Sequence, residues 1–202
     1  MRISVLLFSV VLIALPAAAA DQYDVQLGSG LLAFPGNGHI QRTSEYLRVA
    51  PRAGPALAAD LWLRDKTALQ IAASEAWPRV AIRDGGEGRR IRVVPLSFSL
   101  LQRVDAGAHV QPYVGAGIEL PLLRRGNEPV AGIARIEQPD HVALVLQAGA
   151  RVPLGQRWWI GMDAKVLPAE STLETHRAEY PRDALQTNFH PLVLATGLGV
   201  RF

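Results

Sequence analysis
Alternation of apolar with small or polar residues dominates this chain from Tyr23 to its carboxyl terminus, in separate runs of about ten residues. The final run is the clearest. In Pro191–Phe202, Leu192, Leu194, Leu198, Val200 and Phe202 share one face, while Val193, Ala195, Gly197, Gly199 and Arg201 share the other. Strand side chains alternate with period two, so one face is made for an apolar medium and the other is small or polar. Eight such strands are predicted: about Tyr23–Phe34, Arg52–Leu63, Ala68–Ile82, Ile91–Leu101, His109–Leu122, His141–Leu154, Trp158–Ser171 and His190–Phe202. Each is long enough for the roughly 9–11 residues with which a tilted strand crosses hydrocarbon.

The connections alternate too. Pro35–Pro51, Arg83–Arg90, Leu123–Asp140 and Thr172–Phe189 are long and polar; Arg64–Thr67, Gln102–Ala108 and Gly155–Arg157 are short. A single strand could belong to a soluble sandwich, but a sandwich has no reason to alternate its loop lengths. An up-and-down barrel with short periplasmic turns and long external loops does. The fold class expected is therefore all-β, an eight-stranded antiparallel up-and-down transmembrane barrel with outer-membrane lipid as its surroundings. Tyr23, Phe34, Trp62, Trp77, Trp158, Trp159, Phe189 and Phe202 fall near strand ends, as interfacial girdles require, whereas Phe98 and Tyr113 do not. Pro55, Pro95, Pro112 and Pro191 fall inside the strands, where each removes a ladder donor; at Pro55 and Pro95 a bulge or a shifted boundary is expected.

Residues 1–20 read as an export signal, with Arg2, an apolar stretch from Ile3 to Leu15, and Ala18-Ala19-Ala20 as the cleavage site; residues 21–202 form the barrel. The formal charge of +3 is too small for a nucleic-acid face, so no nucleic-acid partner is expected. Without cysteines there is neither a disulfide framework nor thiolate chemistry.

From about residue 93 the chain resembles the OmpW family of eight-stranded outer-membrane barrels. The resemblance is carried by Val94-Pro95-Leu96-Ser97, Val110-Gln111-Pro112-Tyr113-Val114-Gly115-Ala116-Gly117-Ile118, Leu146-Gln147-Ala148-Gly149-Ala150, Pro153-Leu154-Gly155-Gln156-Arg157-Trp158-Trp159 and Gly197-Leu198-Gly199-Val200-Arg201-Phe202. The N-terminal half matches in layout. At the end of the seventh strand this chain has Lys165-Val166-Leu167-Pro168-Ala169-Glu170, where the family is usually aromatic-rich and acidic. The resemblance implies a passive conduit or binding barrel for small hydrophobic molecules. It also implies that Leu198, Val200 and Phe202 form the signal read by the barrel-assembly machinery.

Turning every apolar face to lipid leaves a lumen list: Arg52 and Asp60, Gln70 and Ser74, Gln111, Tyr113 and Glu119, Gln147 and Arg151, Asp163 and Lys165, and Arg201. Buried charges must pair or meet water. The list reads either as a polar path or as an ionic plug filling an interior only wide enough for side chains or one small ligand. Arg151 and Glu119 are the expected partners of Asp163 and Lys165. Small residues at Gly28, Gly30, Gly115 and Gly117, with Leu32, are expected to leave room near the outer mouth, while Asp60, Arg151 and Arg201 close the floor. Outer-membrane lipid A deacylases share this barrel size, but Asp163-Ala164-Lys165-Val166-Leu167 lacks the histidine acyl transfer needs, and Ser171 with His176 is the nearest substitute. No catalytic residue, metal site or cofactor is expected: the histidines lack zinc spacing, and Gly85-Gly86-Glu87-Gly88 reads as a solvated turn. The alternative to a conduit is a structural or adhesive barrel with a plugged lumen.

Overall fold
The computed structural model describes residues 22–33, 38–39, 46–82, 85–90, 92–105, 109–124, 133–137, 142–168, 171–177, 184–189 and 191–202. Eight antiparallel strands close into a barrel: β1 (Gln22–Ala33), β2 (Arg52–Arg64), β3 (Thr67–Ser74), β4 (Arg92–Arg103), β5 (Gln111–Arg124), β6 (Ala143–Pro153), β7 (Trp158–Val166) and β8 (Leu192–Arg201). Each strand pairs with its neighbours in sequence, and β1 closes on β8 through a register running from Asp24 opposite Arg201 to Ala33 opposite Leu192. Closure leaves no sheet edge, which is the condition for a backbone to lie in hydrocarbon.

Period-two alternation decides which face is which. Along β6, Leu144 is 63% exposed and Leu146 49%, while Val145, Gln147 and Arg151 are all under 5%. The exposed apolar residues of the other strands, such as Leu27, Leu100, Val114, Met162 and Leu198, complete a band around the barrel. In water so continuous a patch would drive aggregation; against acyl chains it is the favoured surface.

Two expectations about element boundaries are corrected. The third strand does not run unbroken from Ala68 to Ile82. It ends at Ser74, and alternation fails at Ser74-Glu75-Ala76, three buried residues in succession. The long segments are also not simply loops. They contribute a four-stranded sheet of Gly38–His39, Tyr46–Ala50, Arg79–Ile82 and Gly85–Arg90, and a three-stranded sheet of Ile133–Glu137, Ser171–Arg177 and Ala184–Phe189. Gly85-Gly86-Glu87-Gly88, read as a solvated turn, thus lies in a strand, Gly85–Arg90, paired with Arg79–Ile82. The export signal at residues 1–20 lies outside the described residues.

Pro55, Pro95 and Pro112 stay within the ladders, Pro191 precedes β8, and Pro95 marks a weak seam. Pro95 and Pro121 are direct partners between β4 and β5. On the other side of β4, pairing with β3 stops at Ala73 opposite Leu96 and resumes only at an isolated bridge between Ala76 and Val93. The two intervening rungs, at Ser74 and Glu75, are unpaired, and Pro95 has no N–H to give. Glu75 N–H donates instead to the carbonyl of Pro55 on β2 (2.9 Å).

Candidate functional site in the barrel lumen
Lumen side chains fall into two layers. Near the end bearing the long segments the lining is mixed: Leu32, Val193, Ala143, Val145 and Leu167 are buried there, and so are Glu119, opposite Ala143, and Lys165, opposite Val193. Toward the end bearing the short turns it is charged and aromatic. There Arg151, 2% exposed, donates from Nη1 to Asp24 Oδ2 (2.7 Å) and from Nη2 to Asp60 Oδ2. Its guanidinium lies 4.2 Å from the Trp159 ring centroid and 5.3 Å from those of Trp62 and Tyr113. Paired charge with aromatic faces on several sides is how a guanidinium tolerates so dry a place.

Hydrogen bonds extend this floor across the lumen. Trp62 Nε1 and Gln22 Nε2 donate to Asp24 (2.9 and 2.8 Å), and Arg201 Nε lies 3.4 Å from its Oδ1. Gln70 donates to Asp60 (2.8 Å). Gln147 Nε2 donates to Gln70 Oε1 (2.7 Å) and to Asp163 Oδ2 (2.5 Å), which also accepts from the Tyr113 hydroxyl (3.1 Å). Arg103 stacks on Trp62 from the short-turn side, 4.1 Å from the ring centroid.

Among the predicted lumen residues, Asp60, Tyr113, Gln147, Arg151 and Asp163 therefore meet in one network, with Arg201 at its edge. Glu119 and Lys165 are buried higher up. Arg52, the first residue of β2, is exposed at the rim and touches none of the network. The expected pairing is corrected: Arg151 is taken by Asp24 and Asp60, and Lys165 Nζ donates to Ser97 Oγ (2.8 Å). Among the described residues neither Asp163 nor Lys165 makes an ion pair within 4.0 Å. Trp62 and Trp159 are corrected as well. Both are 3% exposed, inside the floor rather than in the girdle, whereas Trp158, Trp77 and Phe202 are exposed. Asp24, Gln26 and Ser97 were missed by the sequence reading although each shares parity with a neighbour on the small, polar face of its strand.

Gly28 and Gly117 are closely covered by neighbouring strands, although Gly28 also lines the small cavity between the layers. A Cβ on Gly28 would lie 1.9 Å from the Thr196 carbonyl oxygen, and one on Gly117 2.0 Å from that of Phe98, so neighbouring strands occupy the space. On Gly199 a Cβ would lie 2.1 Å from the Trp159 ring; that glycine makes room for the floor. Between the layers lies a cavity of about 40 Å³, room for only a few waters. Its polar lining includes Gln26, Ser74, Ser97, Glu119, Asp163 and Lys165. Its wall of small residues, including Ala56, Ala58, Ala72 and Ala73, reaches Pro95 at the weak seam.

In overall shape the barrel is similar to OprG of Pseudomonas aeruginosa (TM-score 0.71, 15% identity, 91% of this chain and 97% of that one). It is similar also to AlkL, solved in DMPC bilayers (0.69, 16%, 90% of each chain), and to outer membrane protein W of E. coli (0.53, 17%, 91% and 98%). At these identities the likeness shows the fold. No curated protein matches the chain in sequence. The model of the OmpW family matches residues 15–202, nearly the whole chain. The chain belongs to the OmpW family, and its place is the bacterial outer membrane.

Proposed function
We propose that this barrel is a passive conduit or binding barrel for small hydrophobic molecules, with its long segments outside the cell and both termini in the periplasm. The observation that carries the reading is the layered lumen, mainly apolar above, with Glu119 and Lys165 set among the apolar residues, and closed below by Arg151 with Asp24 and Asp60. An apolar solute gains by entering the upper layer and would have to strip a buried ion network to pass the floor, which desolvation forbids. The unpaired rungs between β3 and β4, beside a cavity wall of alanines, offer the sideways exit into the membrane. The reading is non-catalytic.

The completeness of the floor favours a second reading, a structural barrel that transports nothing. Uptake of a small apolar solute into liposomes with and without the protein, alongside single-channel conductance, separates the two. A conduit raises apolar uptake with little ion current. Steady ion conductance without apolar uptake would mean a water-filled pore, and neither activity would leave the structural barrel.

A further inference from the structure
We propose that the long-segment rim of β4 and β5 binds the phosphate groups of the outer-leaflet glycolipid, through Arg79, Arg90, Arg92 and Arg124. Arg92 and Arg124 are direct partners on the last rung of the β4–β5 ladder. Arg79 and Arg90 are direct partners in the hairpin that leads into β4, and only Ile91 separates Arg90 from Arg92. Like charges directly opposite on paired strands destabilise the pair unless an anion lies between them. The stretch Arg79–Arg92 holds five arginines against two acids, Asp84 and Glu87, and Arg125 follows Arg124. Buried Glu75 pairs with Arg92 through its Nε, so one of the four positive charges already has a counter-ion, while the rest of that guanidinium's five N–H groups lie beyond this bond.

The height of this cluster points to a lipid phosphate. Arg92 shares the lipid-facing parity of Val94, Leu96, Phe98 and Leu100, a run that ends at Gln102. From Gln102 to Arg92 a strand rising ~3.3 Å per residue and tilted by ~40° climbs about 25 Å, the height of a barrel's apolar band. Arg124 lies on the matching parity of β5, with Ile118 and Leu120. Arg92 and Arg124 therefore occupy lipid-face register positions at the level where the apolar run ends, and Arg90 lies two residues before Arg92. Planar guanidinium forks bind phosphate oxygens two at a time, and outer-leaflet lipid A carries phosphate monoesters at that level. The site lies outside the wall and does not depend on what enters the lumen; it rests on the orientation proposed above.

The test uses the full chain folded in neutral detergent, titrated with lipid A and read by native mass spectrometry. Dephosphorylated lipid A, phosphatidylglycerol and inorganic phosphate are run beside it. One lipid A is expected to bind saturably, and removal of its phosphates should weaken binding about tenfold. Combined Arg79→Gln, Arg90→Gln and Arg124→Gln should weaken it similarly, with folding checked by heat-modifiable migration. Arg64→Gln, Lys66→Gln and Arg157→Gln at the short-turn end, an equal change of charge, should not. Binding to the unmodified protein should also fall as salt rises. Equal binding of dephosphorylated lipid A, or insensitivity to salt, would reduce the contact to acyl chains and overturn the proposal. So would an equal loss in the short-turn control, equally tight phosphatidylglycerol, or full displacement by stoichiometric inorganic phosphate.

Discussion
Arg151 holds two carboxylates that are otherwise sealed from water, Asp24 at 0% and Asp60 at 4% exposure. Removing one partner of such a group costs far more than removing all of them, because it strands uncompensated charge. Arg151→Met is expected to destabilise the barrel by about 3–5 kcal/mol, and adding Asp24→Asn with Asp60→Asn should recover most of that loss. Urea unfolding in lipid vesicles measures both; an Arg151→Met barrel as stable as the original would show the floor to be wet. Phe202 is a different kind of residue. Its side chain is 75% exposed, and its backbone exchanges hydrogen bonds with Tyr23, Phe202 N–H to Tyr23 O at 2.8 Å and the reverse at 3.4 Å. Deleting it should lower outer-membrane levels while leaving refolding in detergent largely intact, as comparison of membrane fractions with refolded yield would show. Normal surface levels would remove Phe202 from the assembly signal. At this scale the period of two was informative: Asp60, Gln147 and Arg151 are on the face that alternation assigns. Trp62 and Trp159 were misread because position near a strand end was weighed above parity, though each shares a face with an aspartate two or four residues away. Which charge meets which was illegible, since contacts across a lumen depend on the tilt and register of all eight strands together.

At the scale of the element, the seam between β3 and β4 is where sequence and structure meet most usefully. Pro95 announced a disturbed ladder, but the extent of the gap, two rungs, follows from Ser74-Glu75-Ala76 leaving the alternation on the opposite strand. That break was masked in the sequence by apolar residues continuing to Ile82. The absence of native cysteines makes the seam easy to lock. Ala73→Cys with Leu96→Cys joins the last paired rung, within the Cα separation a disulfide tolerates. Oxidation is expected to suppress uptake of an apolar solute and reduction to restore it. Ile118→Cys with Leu144→Cys, an equally paired rung between β5 and β6, should have no such effect. Equal uptake by the locked and reduced seam would place the exit elsewhere.

For the molecule as a whole, the alternation of long and short connections conveyed the architecture, because strand order in an up-and-down barrel leaves no other freedom. The two small sheets beyond the barrel were not legible: their strands are short, and polarity was read as loop. Protease added to intact cells should cut within Leu123–Asp140 or Thr172–Phe189 and spare Arg64–Thr67; cleavage confined to the short turns would invert the topology. The closing rung between Tyr23 and Phe202 has one more consequence. It puts the start of β1 beside the end of β8, so the barrel has no mechanical need for a chain break there. A circular permutant that links Phe202 to Gln22 and opens at the exposed turn of Gly155, whose φ is +129°, keeps every ladder intact. It should refold in micelles with the native unfolding midpoint. Its carboxyl terminus would then be Pro153-Leu154 instead of an exposed aromatic, and cells should deliver it poorly, separating what shapes the barrel from what addresses it.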